Sequence, residues 1–317
     1  MRRLVAFGEA MIRFTTPVGV PLETATEFAA PVGGAELNVA IAARRQGMKS
    51  LWVSTLPQGP LGDLVARHVA ANGVEGVLRR TDSGRLGLYF LEQAVPPRAS
   101  RIVYDRSDTA FVSQPDPAVS WPDLLDADSY LVVSGITAAV GSEARRATDE
   151  AIEAARSAGA SVAVDVNYRS SLWSIEDAFD WLKGVIDRVD VLSASREDLL
   201  RLGVSGSEEE IHHRAVELLD LRASVGAAKR IRGRIVEATI YAATKDGTGE
   251  AAVVAEIVDP VGAGDAMFGT FLAGVGRLPL DETVARAAGA LVTAYGVAGD
   301  ALTADPWTPD ERGGVKR

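Results

Sequence analysis

Apolar, β-rich runs alternate with amphipathic helical stretches along most of the chain, and this alternation restricts the fold more than any other feature. Strands separated by helices cannot pair as tight hairpins. Each helix must cross back over the sheet, so the expected product is a mainly parallel sheet with helices on its faces. The pattern predicts core strands at 4–8, 51–55, 130–134, 162–166, 189–193, 235–243 and 252–258. It predicts helices at 35–46, 61–71, 142–157, 175–186, 207–220, 265–275 and 280–295. Two stretches, about 11–31 and 86–106, break the rhythm with short strand-like pieces and proline or glycine turns, and are expected to form a small β-layer outside the main sheet.

The 317 residues suffice for one full-size core, and no linker or repeat divides them, so a single domain is expected. No apolar run approaches the roughly 18 residues of a membrane span. A net charge of −10 argues against a nucleic-acid partner, which would require a broad basic surface. The absence of cysteine removes disulfides, thiolate metal sites and a cysteine nucleophile, and fits the cytoplasm. Of the three histidines, His212 and His213 are adjacent on an expected helix and cannot share a face, so no metal site is predicted there.

The chemistry concentrates in Asp259-Pro260-Val261-Gly262-Ala263-Gly264-Asp265, between an expected strand and an apolar helix. A glycine-rich turn feeding a helix N-terminus aims unpaired backbone N–H groups into one space, aided by the helix dipole, and so forms an anion site. Asp265 would place a carboxylate base beside that cradle. This suits attack of a substrate hydroxyl on a nucleotide's terminal phosphate, with N–H groups and Mg²⁺ stabilising the transferring phosphoryl. A glycine turn capped by aspartate also occurs for purely structural reasons.

Further segments recur in a specific order: Gly8-Glu9-Ala10-Met11, Val32-Gly33-Gly34-Ala35-Glu36-Leu37-Asn38, Leu56-Pro57 with Pro60-Leu61-Gly62, Val103-Tyr104-Asp105-Arg106, Ser134-Gly135-Ile136-Thr137, and Asp165-Val166-Asn167-Tyr168-Arg169. With the 259–265 loop, this series resembles the ribokinase-like (PfkB) carbohydrate kinases over nearly the whole chain, and within them the 2-keto-3-deoxygluconate kinases. The resemblance implies a ribokinase-like three-layer sandwich in which the small β-sheet acts as a lid over a sugar site. It implies Asp265 as general base and Gly262, Ala263 and Gly264 as the anion hole, with Asn167 and Arg169 near the phosphates. Gly34, Asn38, Tyr89, Tyr104, Arg106 and Asp300 would contact a sugar acid. It also implies ATP, carried with Mg²⁺, as donor, and 2-keto-3-deoxygluconate or its galactonate epimer as acceptor, phosphorylated at the terminal hydroxyl. A homo-oligomer is compatible with it. From the residues alone, Gly33-Gly34 is equally a plain turn, Arg106 and Arg169 are either carboxylate grips or structural ion pairs, and the tyrosines are equally sheet packing.

Two stretches depart from the family pattern. Ser195-Arg196-Glu197-Asp198 stands where the family carries Asn-x-x-Glu, and Gly226-Ala227-Ala228-Lys229-Arg230-Ile231-Arg232-Gly233-Arg234 stands where a glycine turn lines the nucleotide. Ile231 occupies an expected glycine position. Either Gly226 or Gly233 serves the turn in a shifted register, or the basic run binds phosphates in a rearranged way, or it is a solvated face. Alternatives in function are a fructokinase- or ribokinase-type enzyme and a non-catalytic sugar-acid-binding member. A nicotinamide oxidoreductase is disfavoured because no Gly-x-Gly-x-x-Gly follows the first strand.

Overall fold

The computed structural model describes residues 2–95 and 98–295. In chain order the strands are β1 (Arg3–Phe7), β2 (Met11–Thr15), β3 (Val32–Gly33), β4 (Lys49–Pro57), β5 (Glu75–Thr81), β6 (Gly87–Glu92), β7 (Arg101–Asp105), β8 (Ser129–Ser134), β9 (Ser161–Asp165), β10 (Val191–Ser193), β11 (Ala223–Arg232), β12 (Ile235–Thr244) and β13 (Gly247–Glu256). Nine of them form one sheet in the order β13-β12-β11-β10-β9-β8-β1-β4-β5, and the other four form a smaller sheet in the order β3-β2-β6-β7. In the large sheet every neighbouring pair from β11 across to β5 is parallel, and β12 and β13 extend the β11 edge antiparallel.

The two faces of the large sheet bury two separate cores. Leu4 and Ala6 of β1 pack with residues of the Ala35–Arg45 and Ala263–Gly274 helices, while Val5 and Phe7 pack with the Ser142–Ser157 and Ile175–Val185 helices. Successive strand residues point to opposite faces, so one strand feeds both cores, and a three-layer sandwich follows. The Ser142–Ser157 helix shows how the sequence selects its layer. Ala144, Ala147, Thr148, Ala151, Ile152 and Ala155 form its buried stripe, at helical spacing.

Strand β1 is an interior strand, between β8 and β4. The chain leaves it for β4 on one side and later places β8 on the other, so the order reverses at β1. Ligand crevices in open α/β sheets form at such reversals, beyond the carboxyl ends of the strands.

The small sheet joins β2 to β6 in parallel and pairs β3 with β2 and β7 with β6 antiparallel. Its register sorts its side chains. Phe14 stands opposite Phe90, and the two rings stack at 5.4 Å. Arg13 stands opposite Tyr89, and Tyr89 opposite Tyr104, on the other face.

Most expected elements are present with ends shifted by a few residues. The last strand starts earlier, as Gly247–Glu256 rather than 252–258, and the 207–220 helix is confined to Ile211–Leu218. Strands β5 and β11 were not anticipated. The second changes the reading of 226–234, because Ile231 lies within β11 and Gly233, at φ +64°, makes the turn into β12. His212 faces the core, where its Nδ1 lies 2.8 Å from Ser224 Oγ, and burial pushes its pKa down to about 4. Among the described residues no helix is long and apolar enough to cross a membrane.

Candidate active site

The floor of the crevice is a row of residues level across the sheet. Ser134 of β8 stands opposite Asp165 of β9, Asp165 opposite Ser193 of β10, and Ser193 opposite Val225 of β11. By strand alternation all four point to the face carrying the Ala35–Arg45 and Ala263–Gly274 helices. Glu36, in the first turn of the former helix, reaches this floor and is buried. Its carboxyl accepts hydrogen bonds from Ser134 Oγ at 2.5 Å and Thr137 Oγ1 at 2.6 Å. Burial raises its pKa against those two bonds. Asp165 is pushed up to about 7, first by burial and then by the nearby charge of Asp265, while a bond from Ser193 and the charge of Arg169 oppose this. Asn167 follows in the left-handed region at φ +39°, where asparagine is tolerated, and its Nδ2 donates to Asp165 Oδ2 at 3.1 Å.

Above this floor lies the glycine loop. Gly262 caps the Ala263–Gly274 helix at φ +86°. A side chain there would be strained, and its Cβ would lie 3.4 Å from Asn38 Nδ2. A Cβ at Gly264 would meet nothing within 4 Å, so the space over the first turn of the helix is open. That combination fits a phosphate approaching the backbone N–H groups. Asp265 is the third residue of the helix, half-buried, and its Oδ2 accepts a 2.7 Å hydrogen bond from Asn38 Nδ2. Desolvation pushes its pKa up to about 6, against the Asn38 bond and the charges of Arg169 and Lys229.

The start of the loop is tied to the small sheet by a buried ion pair. Arg13 Nη1 and Nη2 donate to Asp259 Oδ1 and Oδ2 at 3.1 and 2.6 Å, with the two side chains 3% and 0% exposed. Asp259 Oδ1 also accepts from Val261 N at 3.0 Å and so shapes the turn that leads into Gly262. Nearby, Glu9 is buried just beyond β1. It accepts from Arg106 Nε and Nη2 at 3.0 and 2.6 Å, and from Thr109 Oγ1 at 2.5 Å.

The structure therefore gathers Asn38, Asp165, Asn167, Arg169, Gly262, Ala263, Gly264 and Asp265 at one end of the sheet, with Tyr89, Tyr104 and Arg106 on the small sheet and its exit. Gly34 precedes the Ala35–Arg45 helix in extended backbone, and its lack of a side chain is a matter of space, because a Cβ would lie 2.7 Å from Glu9 O. Tyr89 is buried, which pushes its phenol pKa upward, and its hydroxyl would lie 2.6 Å from a Cβ on Gly33. Its ring packs at 5.7 Å against the exposed Tyr104. Arg106 is held in an ion pair by Glu9. Asp300 lies outside the described residues. Ser195 and Asp198 close on each other as a capping box at the Arg196–Arg201 helix, with Ser195 Oγ donating to Asp198 Oδ2 at 2.7 Å.

Sequence reasoning missed Glu9, Arg13, Glu36 and Asp165 as working groups. A signal existed for Arg13, a charged residue in the otherwise apolar Met11-Ile12-Arg13-Phe14, since a charge in a buried strand requires a partner.

A family model described as pfkB family carbohydrate kinase matches residues 1–304. The 2-dehydro-3-deoxygalactonokinase of Haloferax volcanii is 36% identical over 307 residues, covering 94% of this chain and 90% of that protein. The 2-dehydro-3-deoxygluconokinase of Thermoproteus tenax is 30% identical over 313 residues, covering 95% and 90%. The crystal structure of 2-dehydro-3-deoxygluconokinase from Thermotoga maritima superposes with a TM-score of 0.86 at 28% identity and covers 95% of each chain.

Proposed function

Because the chain belongs to the pfkB family of carbohydrate kinases, and is thus a phosphotransferase acting on a sugar hydroxyl, we propose that it transfers the terminal phosphate of Mg-ATP to a 2-dehydro-3-deoxy sugar acid. The acceptor is 2-dehydro-3-deoxygluconate or its galactonate epimer, at the terminal hydroxyl, and Asp265 is the general base. The observation that carries this reading is the Asp265 carboxylate at the first turn of a helix whose left-handed Gly262 and open Gly264 leave the N–H groups accessible. The sugar-acid substrate is supported by the named activities of the relatives.

In this reading the substrate hydroxyl gives its proton to Asp265 as its oxygen bonds to the terminal phosphorus. The bond from that phosphorus to the bridging oxygen breaks, and ADP leaves. The N–H groups of 262–264 take up charge on the transferring phosphoryl. Asn38 keeps the base pointed at the crevice by its bond to Oδ2. Glu9 engages the Nε–Nη2 side of Arg106 and leaves Nη1 for the acceptor's carboxylate. The small sheet acts as a lid, its Tyr89 and Tyr104 face towards the sugar, and water is excluded when it closes. The cytoplasm is the proposed location.

Steady-state kinetics with Mg-ATP test the substrate class. Both 2-dehydro-3-deoxy sugar acids should exceed ribose and fructose in kcat/KM by at least tenfold. A preference for the neutral sugars would remove the sugar-acid assignment.

The base also fixes a pH dependence. Only ionised Asp265 can accept a proton, so kcat/KM should fall as pH drops through its pKa of about 6 in the free protein. Asp165, pushed up to about 7, titrates with it, so the acid limb of the kcat/KM profile should spread between these two values and belong to the pair. A kcat/KM unchanged down to pH 5 would exclude Asp265 as the base.

A further inference from the structure

The 259–265 loop is held from the small sheet at both of its ends. At its start, Arg13 of β2 bonds Asp259 through two nitrogens, and Gln93, next after β6, donates from Nε2 to Val258 O at 3.4 Å. At its end the hold runs through the backbone. Strand β3 pairs with Met11 and Ile12 of β2 and leads through Gly34 into the Ala35–Arg45 helix, whose Asn38 bonds Asp265. A shift of β2 against the large sheet therefore displaces the supports of both the anion cradle and the base.

Arg13 also stands in a row that crosses the small sheet. Its in-register neighbour is Tyr89, and that of Tyr89 is Tyr104, so the three share one face. The phenol of Tyr89 feels the charges of Arg13, Asp259 and Asp265, which puts the inner end of the row at the loop. The face assigned to the acceptor and the bond that fixes the loop are thus set by one strand register.

Two physical points set this pair apart from a staple between layers. Burying both charges brings little stability over apolar groups of the same size, so the pair is better explained by what it holds in place. A carboxylate at the start of a loop that takes up phosphoryl charge would also oppose that charge, and the guanidinium of Arg13 offsets it. We propose that Arg13 is a positioning residue that couples the two substrates through Asp259. An acceptor seated against Tyr89 and Tyr104 fixes β2, the ion pair passes that position to the 259–264 loop, and the loop binds the nucleoside triphosphate more tightly. Arg13 itself touches neither substrate. By linkage, the nucleotide tightens the acceptor by the same factor. The inference rests on the reading of the small-sheet face as the acceptor site and of the loop as the phosphate cradle.

Calorimetric titration of the full chain with the non-hydrolysable Mg-AMP-PNP, with and without a saturating 2-dehydro-3-deoxy sugar acid, reads the coupling, provided each variant is held well below its unfolding transition. Wild type should bind the analogue at least about fivefold more tightly when the acceptor is present, the low end of ordinary coupling between sites. The double variant Arg13→Met with Asp259→Asn removes the link without stranding a buried carboxylate, and should keep less than half of that ratio. Its kcat should fall by roughly tenfold to a hundredfold, as for reacting groups misplaced by about 1 Å. Arg13→Lys keeps the charge and should exceed the double variant in both readings. A staple with no part in coupling would lower Tm and leave the ratio and the kcat of the folded protein unchanged. A double variant that keeps more than half of the wild-type ratio overturns the proposal, as does a wild type that binds both ligands without coupling. Failure of the wild type to bind either sugar acid would instead overturn the sugar-acid reading, so the two failures are distinguishable.

Discussion

Asp265→Asn is expected to lower kcat by roughly 10² to 10⁴, the contribution of a positioned base, while KM for both substrates stays within a few fold. The replacement keeps the shape of the side chain, and its carbonyl oxygen can still accept from Asn38 Nδ2, which now lies 2.7 Å from Oδ2. It cannot take a proton. It also removes one of three neighbouring carboxyl groups whose pKa values are all raised, so the fold should lose nothing. Steady-state kinetics and thermal unfolding of the variant check both halves. A loss below tenfold would mean that the hydroxyl proton leaves by another route.

The largest stability effect should come from Arg13. Its guanidinium and the Asp259 carboxylate are desolvated together and bond at both ends, so Arg13→Met strands a buried charge. Breaking such a pair costs about 3–5 kcal/mol, which for a chain of this size corresponds to a fall in Tm of roughly 10 °C. The double variant Arg13→Met with Asp259→Asn removes the stranded charge and keeps an acceptor for Val261 N, and should recover at least half of that loss. Denaturant unfolding of wild type, single and double variants measures this. A single variant within 1 kcal/mol of wild type would show that the pair does not hold the small sheet to the loop.

The layered sheet was legible because its strands are apolar runs separated by helical periodicity, and both signals are local. Strand β5 was not, because Glu75, Arg79 and Arg80 give an edge strand a polar sequence, as exposed edges often have. Strand β11 was obscured differently. The family pattern puts a glycine at Ile231, but pairing with β12 keeps 226–232 extended and the turn falls at Gly233, one of the two glycines expected to serve it.

The Asp259 to Asp265 loop was the legible part of the site, since a glycine-rich helix start implies accessible N–H groups wherever it occurs. Its supports were not legible. Arg13 meets Asp259 across 246 positions of sequence, Arg106 meets Glu9 across 97, and Thr137 meets Glu36 across 101. No spacing rule connects such residues before the fold is known. Asn38, expected at the sugar, also donates to the carboxylate of Asp265, a contact that its place in the sequence does not disclose. The exchange of Asn-x-x-Glu for Ser195 and Asp198 likewise resolved into a helix cap, a pairing that a list of motifs does not disclose.

The most direct measurement is phosphorus NMR of the product formed from Mg-ATP and each 2-dehydro-3-deoxy sugar acid by the wild-type protein. The account predicts a single new phosphomonoester coupled to the terminal CH₂ protons, formed together with ADP, and formed roughly 10² to 10⁴ times more slowly with Asp265→Asn. ADP release without that ester, or an ester formed only with ribose or fructose, would contradict it.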